Sequence, residues 1–92
     1  MEKTNAQVFI TGKVQGVGYR YATLRTAKSL GLTGWVRNTF DGGVQAEFEG
    51  DKKTVELMIE WCKKGPAHSD VRNVEVLYYN YKNEYNDFII KG

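Results

Sequence analysis

The stretch GWVRNTFDGGVQAEFEG (residues 34–50) decides how the chain folds. Its centre, DGG at residues 41–43, is a strong turn signal, and the residues on both sides include the β-branched and aromatic types that favour strands. We predict a β-hairpin with strands over about residues 34–39 and 44–49. The sequence on either side of this hairpin supplies the remaining elements.

The segments before the hairpin predict a strand followed by a helix. QVFITGK (residues 7–13) alternates in polarity and is rich in β-branched and aromatic residues, which is typical of a strand. In YRYATLRTAKSLG (residues 19–31), Gly31 is a suitable stop for a helix. The apolar residues of this segment recur at helical spacing: Tyr21, Leu24, Ala27 and Leu30.

The segments after the hairpin predict a second helix and one or two strands. KKTVELMIEWCKK (residues 52–64) can be capped by Asp51 and stopped by Gly65. One face of this helix is apolar: Val55, Met58, Ile59 and Cys62. VRNVEVLYYNY (residues 71–81) is typical of a fourth strand, and DFIIK (residues 87–91) of a short last strand or an extension of the fourth. Three residues of the fourth strand share a face: Val74, Val76 and Tyr78.

The resulting order is β-α-β-β-α-β. A helix between two strands lets them lie parallel with a third strand between them, and the hairpin supplies that antiparallel neighbour. The predicted fold is therefore a ferredoxin-like α+β sandwich, an antiparallel sheet with two helices on one face. Since the chain has 92 residues, we expect residues 1–92 to form a single domain.

The composition is that of a soluble globular protein, with 41% hydrophobic and 26% charged residues. No apolar run approaches the roughly 20 residues that a membrane-spanning helix needs, and the start MEKTNAQ lacks the apolar segment of a signal peptide. The single cysteine fits a reducing compartment, so we expect a cytoplasmic protein. One cysteine and one histidine are too few for most structural zinc sites.

The net charge of +2 conceals an asymmetry. Residues 3–40 contain six basic residues and no acidic one, whereas residues 41–92 contain seven basic and ten acidic residues. The first segment is either a solvated face that is basic by chance or a face that binds an anion. The overall charge is too small to indicate nucleic-acid binding by itself.

The glycine-rich stretch GKVQGVGYR (residues 12–20) lies within the basic segment. Its glycines can turn successive backbone N–H groups into one concavity, the following helix adds a positive N-terminal end, and Arg20 can bring a planar guanidinium to a phosphate. The stretch lacks the third glycine of a dinucleotide-binding fingerprint and the Gly-Lys-Ser/Thr of a Walker loop. From these residues alone, a phosphate cradle and a plain glycine turn with Arg20 in solvent remain equally open.

Two long blocks of the sequence, GKVQGVGYR and GWVRNTFDGGVQAEFEG, resemble the acylphosphatase pattern, and CKKGP with the valine-rich strand after it continues the resemblance. The resemblance covers about residues 7–90. It implies the ferredoxin-like fold and hydrolysis of the carboxyl-phosphate bond of acyl phosphates without metal or cofactor. It also implies a small acyl phosphate as substrate, inorganic phosphate as product and competitive inhibitor, and a monomer that binds neither nucleic acid nor membrane.

The resemblance further implies a role for the residues of both blocks. Arg20 would clamp the phosphoryl group, and Asn38 would position the attacking water. Tyr19 stands where the family often has Phe, and Asp70 where it commonly has a basic residue; neither change removes a catalytic group. The phosphate-binding backbone N–H groups would be those of Gln15, Gly16, Val17, Gly18, Tyr19 and Arg20.

Few functional side chains would suffice for this chemistry. The leaving group is a carboxylate whose conjugate acid has a pKa of about 4, so no general acid is needed. Phosphoryl transfer depends mainly on positioning and charge stabilisation, which one arginine, several N–H donors and an oriented water can supply. A neutral amide such as that of Asn38 can hold a water without repelling a phosphate.

The other chemically notable side chains have simpler interpretations. His68 lies in a predicted surface loop, and Cys62, on the apolar helix face, is interpreted as a core thiol. Arg37 should point to the sheet face opposite the next residue, and Asp41 with Gly42 most simply makes the hairpin turn. Three aromatic residues are assigned to the core: Trp35, Phe48 and Trp61.

Two non-enzymatic alternatives stay open: an RNA-binding module of the same strand order, and a phosphate-binding module without turnover. RNA-binding domains need aromatic and basic residues on their central strands, whereas VQAEFE (residues 44–49) is acidic with a single Phe. Nothing in the sequence identifies a group that would hold the acyl part of a substrate. We therefore expect broad specificity.

Overall fold

The predicted order of strands and helices is confirmed, and one short strand completes the sheet. The computed structural model describes residues 2–91, which form five strands and two helices. In chain order they are β1 (Lys3–Lys13), α1 (Tyr19–Ser29), β2 (Thr33–Asn38), β3 (Val44–Asp51), α2 (Lys52–Lys64), β4 (Asp70–Tyr79) and β5 (Phe88–Ile90). β1 begins four residues earlier than predicted, because residues 3–6 continue its pairing with β3. Neither helix in this part of the chain has the length and apolar composition that crossing a membrane requires.

The hairpin strand β3 lies at the centre of the sheet, whose strand order is β4-β1-β3-β2-β5. β3 is antiparallel to β1 on one side and to β2 on the other, and β1 is also antiparallel to β4. β5 departs from the antiparallel prediction, because the chain crosses the sheet after β4 and pairs parallel to β2 at the opposite edge. Since β1 and β2 run in the same direction on either side of β3, the C-terminal ends of these two strands lie at the same end of the sheet.

Both helices pack on one face of the sheet, and the core lies between them and the strands. Residues two apart in a strand point to the same face, so alternate residues of the inner strands fill this core. The strands contribute these buried apolar residues: Ala6, Val8, Ile10, Val36, Val44, Ala46, Phe48 and Phe88. The rings of Phe48 and Phe88 stack with their centroids 5.5 Å apart, which fixes β5 against the core.

Helix α2 has the apolar face that its sequence predicts. Its buried residues are Val55, Met58, Ile59 and Cys62. The helix ends at Gly65, as predicted, but Asp51 at its N-cap makes no side-chain hydrogen bond to a backbone N–H group. The N–H of Lys52 instead donates to the carbonyl of Glu2 at 2.9 Å, so the start of β1 takes part in fixing the start of α2.

The buried face of α1 differs from the prediction. Its buried residues are Tyr19, Thr23 and Ala27, whereas Tyr21 is 60% exposed and Leu24 is only partly buried. The hydroxyl of Thr23 donates to the carbonyl of Tyr19 at 2.7 Å, which satisfies a polar group inside the core. The helix therefore turns a partly polar face inward and leaves Tyr21 at the surface.

The sheet face away from the helices is covered by residues 80–87, the segment between β4 and β5. Two carboxylates of β3, those of Glu47 and Glu49, are buried there. Glu49 accepts hydrogen bonds from the N–H groups of Lys82 (2.8 Å) and Glu84 (3.3 Å). These bonds hold the crossing segment over the centre of the sheet.

Trp35 is buried, as predicted, but on this second face and not between the sheet and the helices. Its Nε1 donates to the hydroxyl of Tyr85 at 3.3 Å, and Nζ of Lys91 lies 4.4 Å from its ring centroid. Arg37 lies on the same face, since its guanidinium is 5.4 Å from the Trp35 ring and donates two hydrogen bonds to Gln45. The alternation of β2 thus directs Arg37 away from the helices.

Candidate active site

The loop between β1 and α1 has a backbone suited to a nest of N–H groups. Gly16 and Gly18 have positive φ angles of 74° and 78°, in the left-handed region that glycine adopts without strain. A Cβ atom on either residue would meet no atom within 4 Å. The backbone conformation, and not crowding, therefore accounts for glycine at both positions.

The N-terminus of α1 opens onto this loop. The N–H of Ala22 donates to the carbonyl of Gly18 at 3.0 Å, so the N–H groups of Gly18, Tyr19, Arg20 and Tyr21 have no acceptor within the helix. No side chain caps this end of the helix, and its first turn contains no acidic residue. The positive end of the helix dipole is consequently available to an anion.

Arg20 and Asn38 line one cavity of about 220 Å³ together with this loop. Arg20 comes from the first turn of α1, and Asn38 is the last residue of β2. The strand order brings the two together although they lie far apart in the sequence. The lining includes Gly16, Gly18, Tyr21, Arg20, Asn38 and Ile90.

Two of the residues that line this cavity carry a group without a partner within residues 2–91. No carboxylate there forms an ion pair with Arg20, and the buried Oδ1 of Asn38 accepts no hydrogen bond. A buried acceptor without a donor costs about 1–3 kcal/mol, a cost that a donor on a bound molecule would remove. The ion pairs of the described chain join Lys28 with Asp87, Lys63 with Glu60, and Arg72 with Asp70.

Gln15 and Val17, two members of the predicted cradle, are not among the residues that line the cavity. Val17 packs against the core. The side-chain Nε2 of Gln15 donates to the carbonyls of Thr39 and Gly43, both at 2.8 Å, and so ties the loop to the turn that follows Asn38. The sequence carries no signal for this contact, because the contact depends on which strands are neighbours.

The ring of Tyr19 is buried, and its hydroxyl donates to the carbonyl of Cys62 at 2.7 Å. The Tyr19 hydroxyl therefore has a partner on α2. Burial raises the pKa of the Tyr19 hydroxyl above its ordinary value, and it raises the pKa of the Cys62 thiol to about 12. Cys62 is thus a protonated core thiol at neutral pH, as predicted, and not a nucleophile.

The other candidate side chains do not line this cavity. His68 is exposed in the loop after α2. Asp41 lies in the hairpin turn, where hydrogen bonds from the Thr39 hydroxyl and the Gly43 N–H hold the pKa of its carboxyl below the ordinary value. Among the residues that the structure describes, no group of three or more His, Cys, Asp or Glu side chains is placed to hold a metal ion.

The fold and the cavity define a small ferredoxin-like α+β protein with a cavity lined by a glycine loop, a helix N-terminus and an arginine. The model of the Acylphosphatase family matches residues 6–90 of this chain. The chain therefore belongs to the acylphosphatase family, whose enzymes act on acyl phosphates.

Individual relatives agree with this assignment. The chain is 58% identical to an acylphosphatase of Nostoc sp. over 73 residues, which are 79% of this chain and 72% of the relative. It is 44% identical to an acylphosphatase of Pelotomaculum thermopropionicum over 90 residues, 98% of each chain. The crystal structure of an acylphosphatase from Bacillus subtilis superposes with a TM-score of 0.94 at 30% identity, and the match covers 97% of this chain and 99% of that chain.

Proposed function

We propose that this chain hydrolyses the carboxyl-phosphate bond of small acyl phosphates to a carboxylate and inorganic phosphate. The observation that carries the proposal is the convergence of three groups on one cavity. Within residues 2–91, they are the guanidinium of Arg20, which forms no ion pair, the N-terminus of α1, which no side chain caps, and the amide of Asn38, whose buried Oδ1 accepts no hydrogen bond.

In the proposed reaction, a water oxygen attacks phosphorus in line with the bond to the carboxyl oxygen. The new phosphorus–oxygen bond forms as the old one breaks, and the departing carboxylate keeps the bonding electron pair. A proton of the water ends on the phosphate or passes to solvent. Because the conjugate acid of the carboxylate has a pKa of about 4, it leaves without protonation at neutral pH.

Arg20 and the loop would hold the phosphoryl oxygens, which carry most of the charge of the transition state. A guanidinium can donate two parallel hydrogen bonds to a phosphate, and the loop and helix end add backbone donors that are already oriented. Gly16 and Gly18 have no side chains, so the backbone can approach the phosphate closely.

Asn38 would hold the attacking water. Its Oδ1 can accept a hydrogen bond from the water, which leaves the lone pairs of the water oxygen free to attack phosphorus. The amide is neutral, so it does not repel the phosphate as a carboxylate would. The bonds from Gln15 to Thr39 and Gly43 support this role, because they fix the loop relative to the end of β2.

The RNA-binding alternative finds no support in the sheet surface. Such domains stack bases on exposed side chains of the central strands. In this chain, Glu47 and Glu49 occupy that face of β3, and residues 80–87 cover them. A phosphate-binding module without turnover would use the same cavity, so only a measurement of turnover separates it from a hydrolase.

The test is the release of inorganic phosphate from acetyl phosphate above the spontaneous rate, with EDTA present. We expect turnover by the wild type and a loss of about 100-fold or more in Arg20→Ala. Arg72→Ala is the matched control, since it removes the same charge from β4, outside the cavity lining, and should keep the activity. Phosphate binding without turnover would contradict the proposal, and activity that EDTA abolishes and magnesium restores would contradict a metal-free reaction.

A further inference from the structure

Two exposed apolar side chains line the active-site cavity. Tyr21 is 60% exposed and Ile90 is 38% exposed, whereas Val14 and Tyr19, which also line it, are buried in the core. Single apolar residues are common on protein surfaces. These two come from different elements and meet at one cavity, so they form a small apolar wall beside a polar site.

The wall lies on α1 and β5, next to the groups proposed to bind phosphate. Tyr21 follows Arg20 directly in the first turn of α1. Ile90 of β5 pairs in parallel with Val36 of β2, two residues before Asn38. The cavity therefore has a polar side, made of N–H groups, guanidinium and amide, and an apolar side made of Tyr21 and Ile90.

A neighbouring cation supports the ring of Tyr21. The guanidinium of Arg25, one turn further along α1, lies 5.8 Å from the centroid of the ring. This distance is within the range of a cation–π contact. The contact gives the exposed ring a packing partner on its own helix.

An acyl phosphate has two chemically different parts to place in this cavity. Its phosphoryl group needs the N–H donors and the guanidinium of Arg20. The carbon chain or ring attached to the carboxyl carbon lies only a few bonds from phosphorus, so it is within reach of the wall of the same cavity. The exposed apolar surface there belongs to Tyr21 and Ile90.

We propose that Tyr21 and Ile90 form an acyl-binding subsite that favours acyl phosphates with an aromatic or branched apolar acyl group over acetyl phosphate. The inference rests on the proposed function and goes beyond it by naming a substrate class. An aromatic contact of this kind should raise kcat/KM for an aromatic acyl phosphate relative to acetyl phosphate by roughly threefold to tenfold. The enzyme would then accept many acyl phosphates, as expected from the sequence, but with a kcat/KM that depends on the size and polarity of the acyl group.

The experiment compares kcat/KM for benzoyl phosphate and acetyl phosphate in the wild type and in four variants. Tyr21→Ala and Ile90→Ala each remove one side of the wall, and Tyr21→Phe keeps the ring. Leu77→Ala is the control, since Leu77 is exposed on β4 and does not line the cavity. The benzoyl-to-acetyl ratio should fall roughly threefold to tenfold in Tyr21→Ala, fall in Ile90→Ala, and be kept in Tyr21→Phe and Leu77→Ala.

The outcomes separate the subsite from the hydrolase itself. An unchanged ratio in both alanine variants, in a protein that hydrolyses both substrates, would overturn the subsite and leave the proposed function standing. Equal losses on the two substrates would also overturn it, because they would show that Tyr21 only positions the start of α1. The inhibition constant of inorganic phosphate should stay the same in Tyr21→Ala, and hydrolysis of neither substrate by the wild type would contradict the proposed function and the subsite together.

Discussion

At the scale of single residues, a substitution of Arg20 can test whether hydrolysis depends on the positive charge of the guanidinium or on its hydrogen-bond geometry. We expect Arg20→Lys to lower kcat/KM for acetyl phosphate by about 100-fold or more, because lysine keeps the charge but loses the planar fork that can donate two parallel hydrogen bonds. Steady-state kinetics measure the effect, and circular dichroism checks that the fold is retained. Turnover within a few-fold of the wild type would mean that a point charge is sufficient.

Asn38 should separate turnover from binding. Asn38→Ala removes the amide proposed to hold the water and leaves the loop intact, so we expect kcat to fall about 100-fold while the inhibition constant of inorganic phosphate changes less than about threefold. The two constants are measured on the same preparation. A parallel loss of phosphate affinity would identify Asn38 as a binding residue and remove the role proposed for it.

The sequence predicts the cradle more directly than it predicts the rest of the site. Gly16, Gly18 and Arg20 lie within five residues of one another, so turn chemistry and a helix start suffice to indicate an anion site. Asn38 reaches the same cavity through the strand order, and only the family resemblance singles it out. The lining role of Tyr21 escapes prediction, because it depends on which face α1 turns toward the sheet.

At the scale of elements, the side chain of Gln15 joins the loop after β1 to the turn between β2 and β3. Gln15→Leu would leave the carbonyls of Thr39 and Gly43 without this donor, so we expect a loss of about 1–3 kcal/mol in the free energy of unfolding. Inhibition by inorganic phosphate should weaken as well, because the loop loses its anchor. Urea unfolding and inhibition kinetics measure the two effects.

Gln45→Leu is the matched control for this prediction. Gln45 lies on the same hairpin, but its side-chain oxygen accepts hydrogen bonds from the exposed Arg37 on the other face of the sheet. Removal of this surface contact should change the free energy of unfolding by less than about 0.5 kcal/mol and leave phosphate inhibition unchanged. Equal effects of the two substitutions on inhibition would show that Gln15 acts only through the stability of the hairpin.

The contact between α1 and α2 predicts a loss of stability at high pH. In the folded chain the pKa of Tyr19 is raised, and that of Cys62 is raised to about 12. A raised folded-state pKa stabilises the native state fully below the unfolded-state values of about 10 for Tyr and 8.5 for Cys, and this stabilisation is lost as the pH rises from there toward the folded-state pKa.

Tyr19→Phe isolates the tyrosine contribution to this pH dependence. We expect the variant to be less stable than the wild type at pH 8 by about 1 kcal/mol, the contribution of one hydrogen bond. The difference in the free energy of unfolding should shrink at pH 11. At that pH, Tyr19 of the wild type ionises in the unfolded state but not in the folded state, which favours unfolding, and the variant has no hydroxyl to ionise. Urea unfolding at the two pH values measures it, and an unchanged difference would mean that the hydroxyl titrates alike in both states.

Local patterns predict the hairpin and α2 correctly, whereas features that depend on distant contacts are missed. The buried face of α1 includes Thr23, and a hydroxyl that is satisfied inside the core gives no hydrophobic signal. The parallel pairing of β5 with β2 depends on where residues 80–87 cross the sheet, and three strand residues carry too little pattern to indicate it. The second face of the sheet, with Trp35 and Glu49 buried under that segment, is missed for the same reason.

At the scale of the whole molecule, the cavity should couple ligand binding to folding. Inorganic phosphate should bind the native chain at residues 15–20 and not the unfolded chain, which has no cradle. At 100 times its dissociation constant, the ligand stabilises the native state by about 2.7 kcal/mol. For a protein of this size, this gain corresponds to a rise in melting temperature of roughly 10–20 °C, which thermal unfolding against phosphate concentration measures.

The control for this prediction distinguishes binding from exclusion, since phosphate also stabilises many proteins by being excluded from their surface. A binding effect saturates and shrinks in Arg20→Ala, whereas an exclusion effect rises steadily in both proteins. Sulfate and chloride series at matched ionic strength complete the comparison. Equal shifts without saturation in the two proteins would show that the loop is only a glycine turn.

Because β3 lies between β1 and β2, the backbone sets the width of the candidate active site. Neighbouring strands lie about 4.8 Å apart whatever their side chains, so two such steps, roughly 10 Å, separate the ends of β1 and β2. Substitutions along β3 leave this width unchanged while the strand stays extended. A gained or lost residue would slide the two ends past each other by about 3.3 Å, so we expect evolution to tolerate substitutions in β3 that preserve its buried packing far more often than insertions or deletions there.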